Sequence, residues 1–211
     1  MSLLNAPDLL NAQDLHLWRG ELHVLRGLSF GLEAGRCLQV TGINGAGKSS
    51  LLRALAGLLP LEEGRVLWRG LDTRRDHYAF HSELAWLSHG TALKADLSAR
   101  ENLRFSAGLR REIRSDEIDA VLDRVGFAHA DHRLARQMSA GQQRRVALAR
   151  VALLDCPLWM LDEPTANLDT RGQDMFTRLL SAHLERGGLA VVATHQALAL
   201  AADRMQSLEL S

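Results

Sequence analysis

Gly42-Ile43-Asn44-Gly45-Ala46-Gly47-Lys48-Ser49 matches G-x-x-x-x-G-K-[ST] in full, the pattern of a loop that wraps phosphate groups. Its flanks have the form such a loop needs. Cys37-Leu38-Gln39-Val40-Thr41 reads as a buried strand, and Ser50-Leu51-Leu52-Arg53-Ala54-Leu55-Ala56 as an apolar-striped helix ending near Gly57 and Pro60. Between strand and helix, the glycines let successive backbone N–H groups curl around phosphates while the helix offers its positive N-terminal end. Lys48 is then expected to reach the β- and γ-phosphates and the Ser49 hydroxyl to hold Mg²⁺, with Gly42, Ile43, Asn44, Gly45, Ala46, Gly47 and Ser50 completing the nucleotide contacts.

Further along, Leu158-Trp159-Met160-Leu161-Asp162-Glu163 and Leu189-Ala190-Val191-Val192-Ala193-Thr194-His195 are apolar runs that end in polar groups. Continuous apolar runs are what strands covered on both faces of a parallel sheet look like. Ligands of such sheets bind beyond the carboxyl ends of the strands, which is where Asp162, Glu163 and His195 would sit. Asp162 is expected to bind Mg²⁺ and Glu163 to orient or deprotonate an attacking water. Leu15 to Trp18, Leu25 to Leu32 and Gly64 to Trp68 read as strands of a smaller antiparallel sheet. From about Ser98 to Ala152 the pattern is helical, with Asp116 to Val125 an amphipathic segment capped by Ser115.

The chain has 211 residues, 25 basic and 25 acidic, for a formal net charge of zero. That length suits one domain with a sizeable core, and the charge balance gives no global field toward nucleic acid or anionic lipid. Cys37 and Cys156 are expected to be small buried hydrophobes, not a disulfide. No stretch approaches the roughly 20 apolar residues that span a bilayer, and the N-terminus lacks the pattern of a secretory signal.

Met138-Ser139-Ala140-Gly141-Gln142-Gln143-Arg144-Arg145-Val146-Ala147-Leu148-Ala149-Arg150 resembles the signature segment of ATP-binding cassette ATPases, with Met138 and Ala140 in place of the usual Leu and Gly. Ser139 followed by small residues caps a helix and leaves its N–H groups free as a second anion site. The resemblance implies an α/β P-loop NTPase fold of RecA-like type. Its parts are a parallel-sheet core, a small antiparallel β subdomain and an inserted α-helical subdomain. One domain over 1–211 is expected, with 1–89 plus 151–211 as core and 90–150 as the helical part. It also implies an ATP-dependent homodimer in which Ser139, Ala140, Gly141 and Gln142 of one copy meet the γ-phosphate held by the other. By the same resemblance Trp18 would stack on adenine, Asp169 in Ala166-Asn167-Leu168-Asp169 would work between protomers, and His195 would contact the γ-phosphate and position Glu163 and its water. The family's loop glutamine is missing. Counting back from Glu101-Asn102, its place falls on His89, whose imidazole could still face the water or the metal.

The segments Trp86-Leu87-Ser88-His89 in the loop, Met138 to Arg150, Leu158 to Pro164 and Gly187-Gly188 leading to Thr194-His195-Gln196 resemble one branch of that family, the ATP-binding subunits of bacterial haem-export complexes in cytochrome c maturation. The chain also ends soon after His195, as those subunits do. This implies a peripheral protein on the cytoplasmic face of the bacterial inner membrane, docked on transmembrane subunits and acting indirectly on a periplasmic haem chaperone. An exporter subunit for another cargo, such as a lipid, a lipoprotein or a metal complex, is the alternative. A cassette acting on nucleic acid or ribosomes would need a long coiled-coil insertion or a second cassette. A small-molecule kinase would lack the Ser139 segment and His195. No nucleic-acid partner is expected, since Arg144, Arg145 and Arg150 lie among apolar residues without interleaved aromatics.

Overall fold

The computed structural model describes residues 9–127 and 132–210. Two sheets share a core. In the first, β1 (Leu10–Arg19) and β2 (Leu22–Leu32) form a hairpin turned at Gly20-Glu21, and β4 (Glu63–Trp68) and β5 (Leu71–Asp72) extend it in the order β2-β1-β4-β5. Its pairings are all antiparallel. The second sheet is parallel, in the order β6-β7-β8-β3-β9, from β6 (Leu84–Leu87), β7 (Leu158–Asp162), β8 (Leu189–Ala193), β3 (Cys37–Gly42) and β9 (Met205–Leu210).

β7 and β8 are buried at every position, which is why their sequences are apolar without alternation. Successive side chains still take opposite faces. Trp159, Leu161, Ala190 and Val192 pack with the helices α3 (Ala99–Gly108), α4 (Ser115–Arg124), α5 (Ala140–Leu153) and α6 (Thr170–Glu185). Leu158, Met160, Leu189 and Val191 pack toward α1 (Lys48–Leu55) and the antiparallel sheet. The short α2 (His77–Ser82) precedes β6 and buries Phe80.

Two local expectations change. Trp86 and Leu87 are not loop residues, because β6 pairs them with Met160 and Leu161 at the edge of the parallel sheet, and only Ser88 and His89 follow. Ser115 is the first helical residue of α4, not its cap. The N-cap is Arg114, whose N–H donates to Glu117 Oε1 at 3.1 Å, while Ser115 Oγ accepts from Arg104 Nη2 at 3.1 Å. Cys37 and Cys156 are free and buried, and desolvation pushes the Cys37 thiol up to about 12.

His183 is a buried histidine on α6. Its ring stacks on Trp159 with centroids 4.0 Å apart, and as the neutral donor it gives an N–H to the Leu189 carbonyl at 2.9 Å. Burial lowers its pKa from 6.5 to about 4. The unfolded chain therefore binds one more proton than the folded one within that window. Stability contributed by the neutral ring should be present above pH 6.5 and decline as pH falls toward about 4. Urea unfolding midpoints across this range check it, and in His183→Phe the part of the slope that belongs to this group should vanish.

Candidate nucleotide site

The loop after β3 carries the Gly42–Ser49 segment and runs directly into α1. Gly47 caps that helix at φ 99, and a Cβ there would lie 2.3 Å from Val24 Cγ1, so backbone conformation and the β2 hairpin both demand glycine. Lys48 is 8% exposed, and its Nζ donates to the Gly42 and Ile43 carbonyls at 2.7 and 3.1 Å. The side chain is thus held over its own loop.

The carboxyl ends of β3, β6, β7 and β8 converge there. A cavity of about 440 Å³ is lined by Asn44, Gly45, Gly47, Lys48, Ser49 and Ser50 from the loop, by His89 after β6 and by Asp162 and Glu163 at the end of β7. Arg19, Leu22 and Val24 from the hairpin complete its wall. His195, beyond β8, reaches it through Glu163: His195 Nδ1 lies 3.1 Å from Glu163 Oε2 and donates to it in the Nδ1–H tautomer. Asp162 is buried, and the Glu163 side chain keeps 15% of its surface accessible. Glu163 has φ 49, a left-handed conformation that costs a non-glycine residue about 1–2 kcal/mol.

The signature residues lie elsewhere. Ser139 caps α5, its Oγ accepting from Gln142 N at 3.2 Å while Gln142 Oε1 accepts from Ser139 N at 3.0 Å, a reciprocal capping box. Together with Ala140, Gly141, Asn167 and Asp169 these residues line a separate cavity of about 750 Å³. A Cβ on Gly141 would approach the Asn167 carbonyl to 2.7 Å, whereas Ala140 is exposed. Asn167 stands at φ 63, a conformation its short polar side chain tolerates well. Asp169 caps α6 through Gly172 N at 2.8 Å and accepts from Arg145 Nη2 at 2.8 Å. The Gly172 amide first, and Arg145 with it, hold its carboxyl below the usual range.

Trp18 does not line the phosphate-loop cavity. Its ring lies flat on His23, with centroids 3.8 Å apart and an interplanar angle of 6°, and His16 bonds to His23 at 3.0 Å through their ring nitrogens. Arg19, its neighbour, takes the position on the wall. Trp68 and Trp159 are core residues.

The charged residues of α5 are engaged internally. Arg144 donates to the carbonyls of Ser88 and Glu163, Arg145 to Asp169, and Arg150 to the Trp86 carbonyl at 3.5 Å. Arg144 is a residue that sequence reasoning missed, having taken it as one arginine of three. Burial lowers its pKa, against the opposing charges of Asp162 and Glu163.

Residues 25–166 match the family model of ABC transporters, and the chain belongs to that family as its ATP-binding and ATP-hydrolysing domain. Within the family it is similar to cytochrome c biogenesis ATP-binding export proteins named CcmA. The protein of that name from Xanthomonas campestris pv. campestris is 47% identical over 209 residues, covering 99% of this chain and 96% of its own. Those of Salmonella typhi and Methylococcus capsulatus are 44% and 45% identical, over 96% and 95% of this chain and 97% of each of theirs. Among solved structures, cbiO1 from Clostridium perfringens, part of the ABC transporter complex cbiONQ, superposes with a TM-score of 0.76 at 25% identity, covering 90% of this chain and 79% of its own. A dimeric ATP-binding cassette in a post-hydrolysis state, bound to ADP and Pi, gives 0.79 at 22% identity over 89% of this chain and 88% of its own. Among the described residues no helix is long and apolar enough to cross a membrane.

Proposed function

We propose that this chain energises haem export in bacterial cytochrome c maturation, either by driving the haem itself or by releasing a haem-loaded periplasmic chaperone. It would work from the cytoplasmic face of the inner membrane, docked on transmembrane subunits of the CcmB and CcmC type. The observation that carries the cargo is the 44–47% identity, over nearly the whole chain, to relatives named for cytochrome c biogenesis export.

The site geometry supports the chemistry. Lys48 and the N–H groups of Gly45 to Ser49 would hold the phosphates. The Ser49 hydroxyl and the Asp162 carboxylate line one cavity and offer the hard oxygen ligands that suit Mg²⁺, which also keeps waters and phosphate oxygens in its shell. Bound there, Mg²⁺ would neutralise charge that develops on the phosphates. Glu163 would take a proton from the attacking water, with His195 fixing its carboxylate from one side and His89 facing the same space. Adenine would lie toward the β1–β2 hairpin, where Trp18 already has one ring partner in His23.

Two separate cavities on one chain, one at the phosphate loop and one at Ser139, favour a head-to-tail homodimer in which each ATP is enclosed by both copies. Lys48→Ala and Ser139→Arg chains should each be nearly inactive alone. Mixed, half the dimers carry one intact composite site, so turnover should recover to roughly a quarter of wild type. No recovery above the two parents would count against a shared site.

The cargo is tested by purifying the chain from gently solubilised bacterial membranes and identifying what accompanies it. Transmembrane subunits that also bring a haem-binding periplasmic protein are expected. A lipid or lipoprotein permease in their place would overturn the haem assignment.

A further inference from the structure

Arg144 sits one turn into α5 beyond Ser139 and is only 2% exposed. Its fork is spent on main-chain carbonyls of two loops. Nη1 donates to Ser88 O at 3.1 Å; Nη2 donates to Glu163 O at 2.6 Å and lies 3.4 Å from Asp162 O. A buried guanidinium must have its donors satisfied, and its planar geometry fixes the acceptors it binds.

Those acceptors belong to the residues that matter for the reaction. Glu163 is in the left-handed region at φ 49, which a glutamate does not favour by itself, and it is pinned on both sides: its N–H by Ala193 O at 2.8 Å, its carbonyl by Arg144. Ser88 immediately precedes His89, which lines the phosphate-loop cavity. One side chain on the signature helix therefore touches the backbone beneath both groups.

We propose that Arg144 is a positioning residue that holds Glu163 and His89 at the nucleotide and transmits displacement of the signature helix to them. This rests on the reading of Glu163 as the group that directs the attacking water. Because the bonds run within one chain, the coupling links the Ser139 cavity of a protomer to its own phosphate-loop cavity.

The test uses the full chain with Arg144→Gln, Arg144→Lys, Glu163→Gln and the double variant Arg144→Gln/Glu163→Gln, reading ATP Kd and single-turnover hydrolysis. Arg144→Gln should keep ATP Kd within about twofold and lower the hydrolysis rate on the order of tenfold to a hundredfold, the loss expected when a reacting group is misplaced. The double variant should be no slower than Glu163→Gln, since both act through one carboxylate. A wild-type rate in Arg144→Gln, or losses that multiply in the double variant as for a merely structural residue, would overturn the proposal. Should Arg144→Gln fail to fold, Arg144→Lys carries the question, because it keeps the charge and loses the fork. A slower rate at unchanged Kd is expected there, and a wild-type rate overturns the proposal. If Glu163→Gln itself hydrolyses ATP at the wild-type rate, the reading of Glu163 falls and takes this one with it, whatever Arg144 does.

Discussion

Glu163→Gln is expected to slow ATP turnover on the order of a hundredfold or more while leaving ATP binding in place. The substitution preserves size and one hydrogen-bond-accepting oxygen, and removes the carboxylate's charge and its ability to take a proton. His195 Nδ1, 3.1 Å from Glu163 Oε2, would still have an oxygen to face, so the local geometry has reason to persist. The expected signature is a fall in kcat with ATP affinity changed by little, which steady-state hydrolysis together with equilibrium nucleotide binding will show. Turnover at the wild-type rate would remove Glu163 from the reaction.

Lys48→Ala is expected to act one step earlier, on binding itself. Lys48 Nζ stands over the loop, bonded to the Gly42 and Ile43 carbonyls, and is the cation that α1 brings to the phosphate-loop cavity. Losing charge-assisted bonds to phosphate in a partly buried site removes about 3 kcal/mol or more, equivalent to an ATP Kd raised on the order of a hundredfold. Titration with a fluorescent ATP analogue measures it. The contrast between the two variants assigns them separate duties: one loses the ligand, the other keeps the ligand and loses the reaction.

What could be read from the chain beforehand was whatever is contiguous. The phosphate loop and the Asp162-Glu163 pair each sit in a short run whose residue types state their own chemistry, the roles of Ser139 and His195 come from the family resemblance, and β7 and β8 announce themselves by unbroken apolar sequence. His89 stands out only through the family resemblance, at the place of the loop glutamine, and it lines the same cavity as Lys48 and Asp162. The misses are all matters of pairing across sequence. β9 lies at the edge of the parallel sheet, so its Met205–Leu210 sequence mixes polar and apolar residues and does not read as a buried strand. Leu84–Leu87 is too short to stand out from the loop that follows. The stacking of His23 on Trp18 follows from cross-strand register, and no local pattern encodes that. Ser115 has the residue type of a cap, but its hydroxyl is taken by Arg104 from a neighbouring helix.

The contact between Gly47 and Val24 has a consequence for how tightly the two sheets are joined. Because the phosphate loop closes against β2 with no room for a methyl group, and Arg19, Leu22 and Val24 form one wall of the cavity, the seam between the antiparallel and parallel sheets runs through the ligand site. A ligand that touches both walls of this pocket binds better when the seam is closed. By mass action, such a ligand would add to the cohesion of the two sheets.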